Sequence, residues 1–237
     1  MFDNLTMNDD IAAEKDVLGG GAALIETGVY NFTIEMAYAS TAASGAKALN
    51  LHLKADSGET VCKAIYVTNK KGENYYTKGG QKSYLPGFLL ATNLCLLTVR
   101  QELHQVTPEE KTIMLYDFDA KRELPTKAKV LVDLIGTRVT ASIVKEIVDK
   151  TVKQADGTYV PTGETREQNE IDKFFHIDTG MTIAEIRAKS TTADFKEQWA
   201  TKNTGITRNK TKGAVAGAAG KLQAAANKPA PKSLFED

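Results

Sequence analysis

The chain is poor in the residues that metal and redox chemistry need. Its 237 residues include two cysteines, Cys62 and Cys95, and three histidines, His52, His104 and His176. Both cysteines lie in apolar patterns without metal spacing, and they read as buried, inert thiols in a reducing, cytoplasmic setting. The histidines are scattered and none sits in a metal motif. No run of about 18 apolar residues exists, so no transmembrane helix is expected. The opening Met1-Phe2-Asp3-Asn4 is acidic and lacks a basic region followed by an apolar stretch, so it does not read as a signal peptide. Lys78-Gly79-Gly80-Gln81-Lys82 lacks the spacing and the Ser or Thr of a Walker loop. Gly19-Gly20-Gly21 precedes the first strand, where a dinucleotide fingerprint would follow it. Asp117 and Asp119 could be read as a metal pair, yet alternate carboxylates at a strand end more often face solvent. No further acidic cluster completes a nuclease or hydrolase, so neither enzyme chemistry nor a cofactor is expected.

What is present is an ordinary soluble composition with an uneven charge. Hydrophobic residues make up 42% and charged residues 25%, as in a typical globular domain. The net charge of zero hides a split. Residues 201–235 carry seven basic side chains and no acid, whereas residues 1–200 carry 23 basic and 28 acidic ones. A nucleic-acid binder needs a local basic path rather than a basic total.

Strand periodicity dominates the middle of the chain. Residues 1–27 read as an acidic, Gly-rich arm with one helical turn over 9–16. From Gly28, the residues Tyr30, Phe32, Ile34, Met36 and Tyr38 alternate with smaller or polar ones, which predicts one apolar strand face. Ser44-Gly45 breaks the pattern. Leu49, Leu51 and Leu53 mark a second strand, Asp56-Ser57-Gly58 a hairpin turn, and 61–67 a third strand. Pro86-Gly87 opens a helix with an apolar stripe. Residues 107–110 read as a helix start or turn, 113–118 as strand-like, and 129–135 as a turn of helix ending at Gly136. The β-branched run 137–153 favours strand over a competing helical face. Asp156-Gly157 then closes a hairpin, and strand returns over 159–162 and 168–177. Two short helices follow over 182–189 and 193–202, with Trp199 packed on the body. Residues beyond about 203 are rich in Gly, Ala, Lys, Asn, Thr and Pro and should be disordered. Three strands, a helix and a long hairpin match the order of an OB-fold, a five-stranded Greek-key barrel with its helix between the third and fourth strands. The expected fold is therefore mainly β, an OB-fold-like β-barrel with a few helices. The expected domains are an arm (1–27), an OB-fold-like body (28–202) and a basic tail (203–237).

Two segments carry the functional signal. Residues 63–84 hold five lysines (Lys63, Lys70, Lys71, Lys78, Lys82), one acid (Glu73) and four of the eight tyrosines (Tyr66, Tyr75, Tyr76, Tyr84). Lysines neutralise phosphates, and aromatic rings stack on unpaired bases at about 1–3 kcal/mol per base regardless of sequence. The same composition also fits a solvated loop with its tyrosines folded onto the core. Arg122 and Arg138 join the candidates, because a guanidinium both pairs phosphate and stacks. The strand hairpin also carries Lys145, Lys150 and Lys153; Lys145 and Lys153 sit beside the acids Glu146, Asp149 and Asp156 and read as a solvated face. The other segment is the terminus, where Pro229 and Pro231 lead to Leu234-Phe235-Glu236-Asp237. An apolar anchor amid negative charge can dock into a basic-rimmed pocket on another protein.

On four pieces the chain resembles phage-encoded single-stranded DNA-binding proteins. These are residues 28–34 (Gly-Val-Tyr-Asn-Phe-Thr-Ile), the stretch from Asn74-Tyr75-Tyr76 to Tyr84-Leu85-Pro86-Gly87-Phe88, Leu134-Ile135-Gly136-Thr137-Arg138-Val139, and the acidic, Phe-containing terminus. The resemblance implies non-catalytic binding of single-stranded DNA during phage replication, recombination and repair, in the cytoplasm of an infected bacterial cell. It also implies that the tip contacts replication proteins such as DNA polymerase and helicase–primase, with no membrane partner; a homodimer is compatible with it. The tip is less acidic than is usual in such proteins. The rival class is a virion structural or assembly protein, which a β-rich body with an Ala/Gly/Lys tail would also suit.

Overall fold

A computed structural model describes residues 24–117, 120–154 and 159–211. The arm's helical turn, the Asp156-Gly157 turn, Asp119 and the terminal tip lie outside the described residues. The fold is mainly β and built of antiparallel sheets, with three α-helices among the described residues. Among the described residues no helix is long and apolar enough to cross a membrane.

The organising element is β1 (Gly28–Thr41), rich in aromatic and β-branched residues. It pairs along one edge with β2 (Lys47–Ala55), which pairs in turn with β3 (Thr60–Tyr66). Next come a two-stranded ribbon, β4 (Tyr75–Lys78) and β5 (Gln81–Tyr84), and the helix α1 (Pro86–Thr98). The hairpin β6 (Glu109–Asp117) and β7 (Arg122–Val130) leads through a single helical turn, Val132–Leu134, into β8 (Arg138–Lys153) and β9 (Tyr159–Phe175). Two short helices, α2 (Ile183–Arg187) and α3 (Asp194–Asn203), and the two-residue β10 (Arg208–Asn209) complete the body.

The second edge of β1 is shared. Residues 28–33 pair with β8, Tyr38 and Ala39 with β7, and the backbones of Ile34 and Ala37 bond to the connection between those strands. At Glu35 the β1–β2 register slips by one residue, from Ile34 opposite Leu53 to Met36 opposite His52. This bulge reverses the facing parity. Phe32 and Ile34 are fully buried, but beyond the bulge it is Ala37 that enters the core, while Met36 and Tyr38 turn to the outer face. The unbroken alternation expected from the sequence therefore holds only for the first half of the strand.

The core lies between the inner faces of β1–β3 and β8–β9, with α1 packed against β3, β8 and β9. Leu51, Leu53, Leu94, Leu134, Val139 and Ile143 are fully buried in it. Among the described residues β3 pairs only with β2 and β9 only with β8, so the eight-stranded sheet stays open. Side chains bridge that gap. Lys63 on β3 lies 2.6 Å from the Glu170 carboxylate on β9 and donates to the Asn169 carbonyl at 3.5 Å. The Asn169 amide group holds both polar groups of the Ile25 backbone at 3.0 and 2.7 Å.

Several elements differ from expectation. The five-strand count is exceeded, because 122–130 forms the strand β7 and 109–110 already belongs to β6 rather than to a helix start. The helical turn expected over 129–135 shrinks to three residues, since Val130 and Lys129 remain paired to β1. Residues 204–211 stay on the body instead of leaving it at 203. Gly205 donates to the Thr27 carbonyl, β10 pairs in parallel with β8, and Lys210 reaches the 1%-exposed Glu146 carboxylate at 2.7 Å. That contact has the distance of an ion pair without the alignment of a hydrogen bond. A buried carboxylate needs such a counter-charge, which tethers a segment whose composition alone reads as disordered. Trp199 is buried, as expected, and its indole N–H donates to Asp172 at 2.5 Å. Cys95 is buried, but Cys62 is exposed, because β3 turns it to the outer face beside His52.

Gly87 explains the seating of α1. A Cβ there would collide with the Tyr66 carbonyl, so only glycine lets the helix start lie on the end of β3. Replacing Gly87 by Ala is expected to destabilise the body by about 1–3 kcal/mol, the usual cost of overpacking. Chemical denaturation would read this as a lower midpoint at unchanged slope.

Candidate nucleic-acid interface

The 63–84 segment folds as a short strand end, a tight loop and a ribbon. Asn69 builds the loop: its side-chain oxygen accepts from the backbone N–H groups of Lys71 and Glu73, and its amide donates to the Glu73 carboxylate at 2.9 Å. Such side-chain to backbone closure is what Asn offers in turns. The loop leans on the β1–β2 turn, where the Lys47 N–H donates to Thr68 Oγ1 at 2.9 Å and Val67 donates to the Lys47 carbonyl. The ribbon's tip is Gly79-Gly80, both at positive φ (56° and 80°), as a two-residue hairpin requires.

Register separates the four tyrosines. Tyr75 faces Tyr84 directly, and Thr77 faces Lys82 on the same side of the ribbon. Tyr76 and Lys78 point to the other side. Lys82 Nζ sits 4.6 Å above the Tyr75 ring, a cation–π contact. The Tyr84 and Phe88 rings lie 5.3 Å apart. Tyr84 is 56% and Tyr66 54% exposed. Two depressions flank this face. One, of about 390 Å³, is lined by the 69–73 loop with Tyr75, Tyr76, Thr77 and Lys82; the other, of about 280 Å³, is lined by Tyr75, Lys82, Ser83 and Tyr84. Glu73 is the acid in the first. Hydrogen bonding from Asn69, aided by the charges of Lys71 and Lys82, holds its carboxyl below the usual carboxylate range.

Ion pairs engage some of the lysines and not others. Among the described residues no ion pair is seen for Lys70, Lys71, Lys78 or Lys82, whereas Lys63, Lys111, Lys127, Lys145 and Lys150 each lie within 4.0 Å of a carboxylate. Lys63 is thus engaged in bridging β3 to β9. Arg138 pairs with Asp56 at 2.6 Å beside the β2–β3 turn, at the opposite end of β1 from the ribbon. Arg122 stands opposite Asp117 near the tip of the β6–β7 hairpin. By register that hairpin continues past the C-terminal end of β1, the end where the ribbon is anchored. The fold therefore brings Lys70, Lys71, Tyr75, Tyr76, Lys82 and Tyr84 around the two depressions, leaves Tyr66 and Lys78 outside their linings, sets Arg122 on a separate arm, and occupies Lys63 and Arg138 elsewhere. Leu234, Phe235, Glu236 and Asp237 lie outside the described residues.

The bulge exposes residues that alternation assigned to the core. Met36, His52 and Cys62 form one cross-strand row on the outer face of β1–β3, and Tyr38, Asn50 and Ala64 form the next. The Tyr38 and His52 rings meet edge to face at 6.1 Å, and Asn50 donates to Ser40 at 2.7 Å. Burial and the neighbouring Cys62 raise the Tyr38 hydroxyl above its ordinary range. This face ends at Tyr66, beside the ribbon. No sequence signal marks it, because the bulge carries no distinctive residue. Among the described residues no three His, Cys, Asp or Glu side chains gather as a metal cluster. No protein-family model matches the chain, and no curated protein matches it.

The thiols provide a check on these faces. Partial desolvation by its neighbours on the outer face, and secondly the charge of Glu35, raise the Cys62 thiol; burial pushes the Cys95 thiol up to about 12. One thiol per native chain should react slowly with a disulfide reagent at pH 8, and two should react in denaturant. Two fast-reacting native thiols would contradict this arrangement.

Proposed function

We propose that the protein is a sequence-indifferent single-stranded DNA-binding protein of the phage type, with an OB-fold-like body. The observation that carries this reading is the ribbon region. Exposed tyrosines stand beside four lysines for which no ion pair is seen among the described residues. Such rings stack on any base, and such charges follow a flexible phosphate backbone. The strand plan supports the OB-like body: a three-strand meander, α1, then β8 returning to the free edge of β1 with β9 beside it. The ribbon and the β6–β7 hairpin are elaborations of that plan. In this proposal the protein performs no catalysis and needs no cofactor. It coats exposed DNA during phage replication, recombination and repair. Leu234, Phe235, Glu236 and Asp237 would recruit replication proteins such as DNA polymerase and helicase–primase.

Fluorescence anisotropy with a labelled oligothymidylate tests the proposal. Binding is expected at low salt and weakens as salt rises. Tyr84→Ala should lower affinity about five- to 150-fold, from a stacking loss of about 1–3 kcal/mol. Lys78→Gln should reduce the salt slope by about 0.7, the value for one phosphate contact on a single strand. Absence of binding by the folded protein at low salt would end the proposal, and large assemblies without nucleic acid would favour a virion role.

A further inference from the structure

Glu73 is the one acid of the 63–84 segment, and it lines the larger of the two depressions among lysines and tyrosines. One oxygen of its carboxylate accepts from the Asn69 amide at 2.9 Å, and the other accepts from the Tyr75 hydroxyl at 3.4 Å. Each carboxylate oxygen has two lone-pair sites, so acceptor capacity remains beside the Tyr75 ring. The Asn69 hydrogen bond, with the charges of Lys71 and Lys82, keeps the group ionised at neutral pH, where it accepts and does not donate. A carboxylate repels phosphate. What it can favour in a DNA strand is therefore a base and not the backbone.

The two depressions differ in this respect. Tyr75 and Lys82 line both and so stand between them. The smaller one is completed by Ser83 and Tyr84 and has no acid in its lining; the larger one, of about 390 Å³, has Glu73. That volume falls within the roughly 300–1,000 Å³ of ligand pockets and accommodates one base. Two successive nucleotides can thus be seated one in each, with the Lys82 ammonium available to the phosphate that links them. Stacking beside Tyr84 is indifferent to the base, because every base has a π-face. A base beside Glu73 also presents its edge. Cytosine carries a donating amino group at the ring position where thymine carries an accepting carbonyl oxygen, and adenine likewise carries a donating amino group. A carboxylate accepts from the amino group and repels the carbonyl oxygen.

We propose that Glu73 is a base-discriminating residue: the depression that it lines with Asn69, Tyr75 and Lys82 takes an unpaired base bearing an exocyclic amino group, as cytosine and adenine do, in preference to thymine. This rests on the DNA-binding reading above and refines it. One position of the bound strand is concerned, so binding stays broad, and the preference is about fivefold, the size of one net hydrogen bond.

Fluorescence anisotropy of the full chain with labelled oligodeoxycytidylate and oligothymidylate of equal length tests the proposal, at low salt and in mildly alkaline buffer where cytosine is neutral. The native chain is expected to bind the cytidylate about fivefold more tightly. Glu73→Gln keeps a carbonyl oxygen for Asn69 and gains an amide that can donate to the thymine oxygen. This variant should bind thymidylate more tightly than the native chain does, and the ratio of the two affinities should fall close to one. Lys78→Gln, outside the depression, should weaken both complexes and leave the ratio unchanged. Circular dichroism confirms that each variant is folded. Equal affinity of the native chain for the two strands would overturn the proposal, as would a cytidylate preference that survives Glu73→Gln. Either result leaves DNA binding itself standing, whereas failure to bind both strands ends that function and this refinement together.

Discussion

Everything in this body depends on β1 keeping two different neighbours on one edge. A strand of 14 residues can do so only if it bends, and the bulge at Glu35 supplies the bend. The first half of β1 runs with β8 and the second meets β7. The connection between those strands fills the space at the switch, its backbone bonded to Ile34 and Ala37 and its Leu131 and Leu134 buried. With the bulge removed, Met36 and Tyr38 would be driven into the core, and Ala37 would leave it.

A sheet arranged around one shared strand leaves a gap between its last members, β3 and β9. Polar side chains close it where a backbone ladder does not. Lys63, Glu170 and Asn169 hold β3, β9 and the entering chain at Ile25 together. Thr27 continues this seam: its hydroxyl donates to the Ile206 carbonyl at 2.7 Å and accepts the Lys145 N–H at 2.8 Å. The entry and exit of the body are thereby fastened to the same stretch of β8. Truncating one partner of such a network leaves buried polar groups unsatisfied, which costs more than the net contribution of any one bond.

This division of polar groups shapes the proposed interface. Lysines that hold the body together are paired with carboxylates, and those of the ribbon region are not. Composition counts them alike, so Lys63 looked equivalent to Lys82. The distinction is one of reach: Lys63 points inward across the gap to β9, whereas Lys82 lies over Tyr75 on a two-stranded ribbon.

Strand identity and order over 28–66, the helix behind Pro86, the β8–β9 hairpin and the Lys/Tyr segment were legible in the sequence. Period-two patterning, β-branched density and Gly, Pro and Asp turns are local properties that neighbouring residues express directly. The strand β7 was not legible, since Pro125 and its polar neighbours resemble a loop until β6 supplies a partner. The tethering of residues 204–211 depends on the distant Glu146 and Thr27. The outward turn of Tyr38 and Cys62 depends on register with β2. Local chemistry thus determined which segments are strands and where the lysines and tyrosines concentrate. Only the tertiary structure decided which face each residue occupies and which charges are already spoken for, because parity across a bulge and ion pairs between distant strands exist only after the chain has closed on itself.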